Sequence, residues 1–181
     1  MEGEVRTEPK FKGTVRHLMP ADIPQLRPIL ETWLRFPTIT GELLTEEVRE
    51  TLEEIEKSLT HENDKQFFVA QSPDGTIAGM MGIQPLREEM KVYALTRHPV
   101  EIINAYVHFD ERKGKGVGRA LVKAIEEETY NRGYEEVLLN SGPRYQETGW
   151  PFWNKTLGPS VGVLKDFYGP TFDAPVWRKV L

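Results

Sequence analysis

The sequence predicts an α/β domain whose central sheet is mixed, mostly antiparallel and flanked by helices. Three observations predict it. The turn signal "SPDG" (72–75) joins two apolar runs, which makes an antiparallel hairpin. The run "VEIINAYVHF" (100–109) passes through a glycine-rich loop and a helical stretch to "EEVLLN" (135–140), a β-α-β order that places two strands parallel. Amphipathic stretches early and late in the chain supply cover for the two faces.

Each element follows from local pattern. "TVRHLM" (14–19) alternates as a first strand. In "PADIPQLRPILETWL" (20–34), Asp22 is the expected helix cap, and Ile23, Leu26, Leu30, Trp33 and Leu34 share a face. Pro24 suits a first turn, whereas Pro28 predicts a kink or short break. After the loop "RFPTITGELL", a second helix starts at Thr45, with Val48, Leu52, Ile55 and Leu59 as its apolar stripe. The hairpin turns at Gly75, and "REEMKVYALTRHP" (87–99) is an excursion before the next strand. Strict alternation puts Glu101, Ile103, Ala105 and Val107 on one face of the 100–109 strand, unless a bulge intervenes. The following helix carries Val117, Ala120, Leu121, Ala124 and Ile125 and stops at Gly133. "WPFWNKTLG" (150–158) is a short helix, and "SVGVLKDFYG" with "APVWRKVL" supply the last strands.

The 181 residues fit one domain, 1–181, with residues 1–12 as a loose tail. No apolar run is long enough for a membrane span, and the N-terminus lacks the apolar core of a secretory signal. The expected location is therefore cytoplasmic, with no membrane partner. With no cysteine there is no disulfide, thiolate metal site or cysteine nucleophile. The four histidines show no metal-ligand spacing, so no metal is expected. The net charge of −5 argues against a nucleic-acid partner and is compatible with a cationic substrate.

The loop "KGKGVGR" (113–119) carries the functional signal. A helix N-terminus offers unpaired N–H groups and a positive dipole end, and glycines let a phosphate approach closely. Lys113, Lys115 and Arg119 complement a pyrophosphate or a 3′-phosphate. A Walker A loop requires Lys-Ser or Lys-Thr where Arg119-Ala120 stands, and a Rossmann loop requires G-x-G-x-x-G in a first β-α unit; neither fits.

Lys113-Gly114-Lys115-Gly116-Val117-Gly118 resembles the Q/R-x-x-G-x-G/A signature of the GNAT acetyltransferase superfamily, with lysine in the Gln/Arg place. The element order resembles that family over most of the chain, down to "FWNKTLG" (152–158) in the place of F-Y-x-K-L-G. The resemblance implies a sheet splayed between its fourth and fifth strands, and acetyl-CoA as co-substrate. It implies that loop amides around Lys115, Gly116, Val117 and Gly118 hold the phosphates, with Lys113, Gly114 and Arg119 beside them. Tyr106, Val107 and His108 would run along the pantetheine arm and thioester, and Asn140 would reach the pantetheine amides. Two departures stand out: one extra residue between Val107 and the glycines, and Asn154 where many members have a tyrosine that protonates the thiolate.

Acetyl transfer from a thioester requires a neutral amine, a polarised carbonyl and a proton for sulfur. Glu101 is the candidate base, since a carboxylate among Val100, Ile102 and Ile103 is desolvated toward base strength. Tyr168, or else Tyr145, is the candidate acid. The expected activity is acetyl-CoA-dependent N-acetyl transfer to a primary amine of a small molecule or peptide, by a monomer or homodimer. The alternative is a non-catalytic acyl-CoA-binding module.

Overall fold

A seven-stranded sheet carries most of the fold. The computed structural model describes residues 10–111 and 115–181. The predicted tail 1–12 therefore lies largely outside the described residues; within it, Phe11 packs against the core. The sheet runs β1–β4–β5–β6–β7–β9–β8, from β1 (Thr14–His17), β4 (Gln66–Gln71), β5 (Ile77–Pro85), β6 (Pro99–Val107), β7 (Glu136–Asn140), β8 (Gly162–Leu164) and β9 (Ala174–Val180). Only β6 and β7 pair in parallel, which gives the mixed, mostly antiparallel α/β sheet that the sequence predicts.

The helices are α1 (Ile23–Trp33), α2 (Thr45–Leu59), α3 (Val117–Asn131) and α4 (Gly149–Leu157). α1 and α2 bury Leu26, Leu30, Val48 and Ile55 against Val69 and Met80 on one face of the sheet. α3 and α4 bury Leu121, Ile125 and Trp153 against Phe68, Met81 and Trp177 on the other. Each such side chain removed from water contributes about 1.5–3 kcal/mol. Between α1 and α2, a small ribbon pairs β2 (Arg35–Phe36) with β3 (Glu42–Leu43).

Two local expectations give way. Asp22 does not cap α1 with its side chain; its carboxylate takes Arg16 Nη1 and Nη2, both at 2.8 Å, and the Met19 N–H at 2.8 Å. Pro28 does not break α1 into two elements; it sits on the exposed face, where the carbonyl it leaves unpaired can turn to water. The excursion 87–99 winds through a 3₁₀ stretch, Glu88–Tyr93. It is tied down by the buried Glu136 carboxylate, which accepts from the N–H groups of Leu95 and Thr96.

Candidate active site

β6 and β7 pair only at Pro99↔Glu136, Val100↔Val137 and Glu101↔Leu138. Beyond Leu138 the two strands part, and a cleft opens between them. A bulge helps to turn β6 away: Gly82 faces Ile103 and Met80 faces Tyr106, so Asn104 and Ala105 together oppose Met81. Asn104 adopts φ +48°, a left-handed conformation that asparagine tolerates better than most residues. The bulge corrects the alternation expected for this strand. Ile103 and Tyr106 pack on the α1/α2 side, while Ile102, Ala105 and Val107 pack on the α3/α4 side.

The cleft has two chambers. One, of about 560 Å³, runs from the first turn of α3 past Val107, Gly118 and Phe152. The other, of about 470 Å³, is bounded by Phe36, Arg87, Asn140, Tyr168 and Phe172. Ala105, Tyr106, Ser141, Tyr145 and Trp153 line both, so they mark the junction.

The expected phosphate loop is described from Lys115 onward; Lys113 and Gly114 lie outside the described residues. The extra length after Val107 enters a 3₁₀ turn, Phe109–Glu111, in which the Glu111 N–H donates to His108 O at 2.8 Å. His108 Nδ1 accepts from the Asp110 N–H at 3.3 Å. Lys115 Nζ reaches Glu111 Oε1 at 3.2 Å. Gly116 takes φ +74° at the N-cap of α3, the left-handed turn that glycine permits. The amides of Val117 and Gly118 belong to the first helical turn, ahead of the carbonyls that α3 itself supplies.

On β6, the His108 N–H bonds Ala78 O at 2.7 Å, so Val107 faces the opposite edge, toward the cleft. The Val107 carbonyl accepts the indole N–H of Trp33 at 2.7 Å, which ties α1 to the cleft and leaves the Val107 N–H on that edge. Asn140 is held at both ends of its amide: Oδ1 accepts from the Tyr168 hydroxyl at 2.7 Å, and Nδ2 lies 3.4 Å from Met90 Sδ.

Glu101 lies at the foot of the cleft and is 0% exposed. Its two oxygens receive Arg87 Nε, Nη2 and backbone N–H, together with Gln84 Nε2. Four donors fill the lone-pair positions of a carboxylate. The Arg87 side chain stays 38% exposed and lines the second chamber, with the Phe167 ring 4.9 Å from its guanidinium carbon. Burial is the largest single influence on Arg87 and works against its charge, but the hydrogen bonds and the charge of Glu101 together hold the guanidinium above its usual pKa.

Tyr106 and Tyr145 stand at the junction, and Tyr168 lines the second chamber. Burial, the leading cause, pushes Tyr145 well above the ordinary value and raises Tyr106 as well. The Tyr145 hydroxyl sits 3.3 Å from Trp33 O and 3.4 Å from the Tyr106 hydroxyl, both long hydrogen bonds. Desolvation pushes Tyr168 up to about 12, with Arg87 opposing. Arg144 pairs with Glu47 and stands 5.0 Å over the Tyr145 ring. Asn154, at the position where a tyrosine is common, is a structural residue: its Oδ1 accepts the Trp177 indole N–H at 2.9 Å. The Arg87–Glu101 and Arg144–Glu47 pairs were not assembled from sequence, since nothing local marks partners 14 and 97 residues apart.

A model of the Acetyltransferase (GNAT) family matches residues 27–158. Human N-acetyltransferase 8 is 29% identical over 91 residues, which span 50% of this chain and 37% of that protein. The crystal structure of a GNAT-family protein from Desulfovibrio desulfuricans superposes with a TM-score of 0.72 at 21% identity, covering 92% of this chain and 98% of that one. That of an aminoglycoside 6′-N-acetyltransferase complexed with coenzyme A gives 0.64 at 18% identity, covering 92% and 96%. At such identities the structural likeness is one of fold.

Proposed function

The chain belongs to the GNAT acetyltransferase family, and on that premise we propose that it moves the acetyl group of acetyl-CoA to a primary amine held in the β6–β7 cleft. The observation that carries this reading is the parting of β6 from β7 beyond Leu138, which opens two chambers that meet at Ala105 and Tyr145. A bisubstrate transfer needs such a shape: two ligands entering from opposite sides and meeting at one point.

In this reading the amides of residues 115–119 and the positive end of α3 hold the pyrophosphate, with Lys113 and Gly114 completing the loop. The pantetheine arm follows the chamber past Val107 and Phe152. The Val107 N–H, on the open edge of β6, is the donor for the thioester or its neighbouring amide, and Tyr106 and His108 flank it.

Roles at the junction differ from those expected from sequence. Glu101, expected as the base, anchors Arg87, because its lone pairs are already committed to four donors. Among the described residues, the one carboxylate lining the acceptor chamber is Glu47, and it is paired with Arg144. The acceptor therefore enters as the free amine, having lost its ammonium proton to solvent. Its nitrogen bonds to the acetyl carbon, the carbon–sulfur bond breaks, the sulfur takes a proton from a neighbouring acid, and the proton that nitrogen loses passes through solvent to restore that acid. Tyr145 is assigned as the acid, ahead of Tyr168. It borders both chambers, its phenol is held protonated by burial, and its long hydrogen bonds are easily redirected to sulfur. Tyr168, firmly bonded to Asn140, walls the acceptor chamber.

The test is thiol release from acetyl-CoA against a panel of amines, with calorimetric titration of coenzyme A alongside. Amine-dependent release is the expected result. Uptake of coenzyme A without transfer to any amine would instead favour an acyl-CoA-binding module.

A further inference from the structure

The side chains lining the acceptor chamber reverse the charge of the chain. The protein carries a formal −5, yet the ionisable groups on this wall, tyrosines aside, are Lys65, Arg87 and Arg144 against the single carboxylate Glu47. The partners of two of the cations lie behind the wall. Glu101, which neutralises Arg87, is fully buried, and Glu54, which holds Lys65 Nζ at 2.9 Å, does not line the chamber. The third cation, Arg144, already engages Glu47 through Nη1 and Nη2.

Arg87 is built to accept a second anion. A guanidinium has five N–H donors on more than one edge. Glu101 occupies the Nε–Nη2 edge, so its hydrogen bonds do not use the Nη1 hydrogens, and Arg87 lines the chamber. The buried carboxylate and the Phe167 ring fix the orientation of the guanidinium before any ligand arrives. A guanidinium pre-oriented in this way offers a carboxylate charge-assisted hydrogen bonds at little cost in ordering. Opposite the charge, Phe36, Leu44 and Phe172 give the chamber an apolar wall, with the two phenylalanine rings 5.7 Å apart.

We propose that the acceptor is an amino-carboxylate with an apolar body, its carboxylate received by Arg87 and its amine directed to the junction. This deepens the acetyltransferase reading and rests on it. A polyamine or aminosugar has no carboxylate to offer Arg87. The carboxylate has two possible sources, a free amino acid or the acidic first residue of a peptide; both present the same chemistry to Arg87.

The experiment compares matched acceptors under saturating acetyl-CoA. The probes are L-phenylalanine, phenethylamine, spermidine and the dipeptide amide Asp-Phe-NH2. The expected result is a kcat/KM for L-phenylalanine or the dipeptide roughly 10–100-fold above that for phenethylamine, the range a charge-assisted hydrogen bond gives. Whichever of the two is preferred identifies the source. In Arg87→Gln that preference collapses through acceptor KM, while the KM for acetyl-CoA stays put; Arg87→Lys keeps the charge without the fork and recovers part of it. Equal or better turnover of phenethylamine or spermidine overturns the proposal. Calorimetric titration of L-phenylalanine into the coenzyme A-loaded protein reads the carboxylate site without turnover. Binding that disappears in Arg87→Gln supports the site even if no transfer occurs, and no binding of either carboxylate probe overturns it. A failure of the acetyltransferase reading would appear separately, as no thiol release with any acceptor.

Discussion

Gly118 faces the ring of Phe152 so closely that a methyl group on its Cα would stand 3.0 Å from both Cε2 and Cζ. The first turn of α3, where phosphates are proposed to bind, is thereby pressed against α4. In Gly118→Ala the Phe152 ring must give way by a few tenths of an ångström. Overpacking of this kind costs about 1–3 kcal/mol, which lowers Tm by roughly 2–12 °C in a chain of this size. Calorimetry should show weaker coenzyme A binding in the same variant, and Gly118→Ala with Phe152→Leu should regain part of both. Unchanged Tm and affinity in Gly118→Ala would disconnect this contact from the loop.

The two phenols separate by kinetics. Tyr145→Phe is expected to lower kcat by about 10²-fold or more, the scale of a lost general acid, with little change in the KM for acetyl-CoA. Tyr168→Phe should act chiefly on acceptor KM. Since burial holds the Tyr145 phenol well above its ordinary value, the acid stays protonated across the neutral range, and no basic limb in kcat should arise from it there. The reverse ranking of the two variants would return the acid role to Tyr168.

Glu101→Gln distinguishes an anchor from a base. A lost base would cut kcat by about 10²–10⁴-fold at nearly constant stability. A lost anchor leaves Arg87 without its counter-charge. The cost is then about 2 kcal/mol, below the ~3–5 of a fully buried pair, because Arg87 keeps 38% of its side chain exposed. The anchor reading predicts a lower Tm and a higher acceptor KM, with kcat within a few-fold of wild type. It also predicts that log(kcat/KM) in wild type climbs with pH toward the pKa of whichever amine is supplied, shifting when the amine is changed.

Acid stability isolates Arg16 and Asp22. The Arg16 hydrogen bonds, ahead of the opposing effect of burial, hold the Asp22 carboxyl below its ordinary 3.8. The folded chain thus binds fewer protons here than the unfolded chain. The stabilisation is complete above that ordinary value and drains away as pH falls through the depressed one. Denaturation of wild type and Asp22→Asn should differ by about 1.5–3 kcal/mol at neutral pH, the range for hydrogen bonds to a charged group. The two curves should converge only below pH ~4. A constant gap down to strong acid would show that the carboxylate charge is not what matters.

Sequence pattern carried the sheet, the hairpin and the β6–α3–β7 unit because each depends on local periodicity or a turn residue. Gly75 and Gly133, for instance, do adopt positive φ. The start of α3 at the glycine run was legible for the same reason. What pattern missed depends on contacts across the fold. The Asn104–Ala105 bulge reverses the alternation on which a common face for Glu101 and Val107 rested. Arg87 and Glu101 meet because β6 and the end of β5 lie side by side, a pairing that no spacing encodes. Trp33 reads in the sequence only as one residue of an apolar helix face, and the packed helix reveals its indole on the Val107 carbonyl.

The bulge in β6 has a consequence for the length of the chain itself. Because Asn104 and Ala105 together occupy one place opposite Met81, a deletion of Asn104 would leave every later side chain on its present side of the sheet. It would, however, remove the crease that steers the strand away from its parallel neighbour. Such a shortened protein would keep its interior and lose its mouth: an intact globule, sealed where two reactants have to meet.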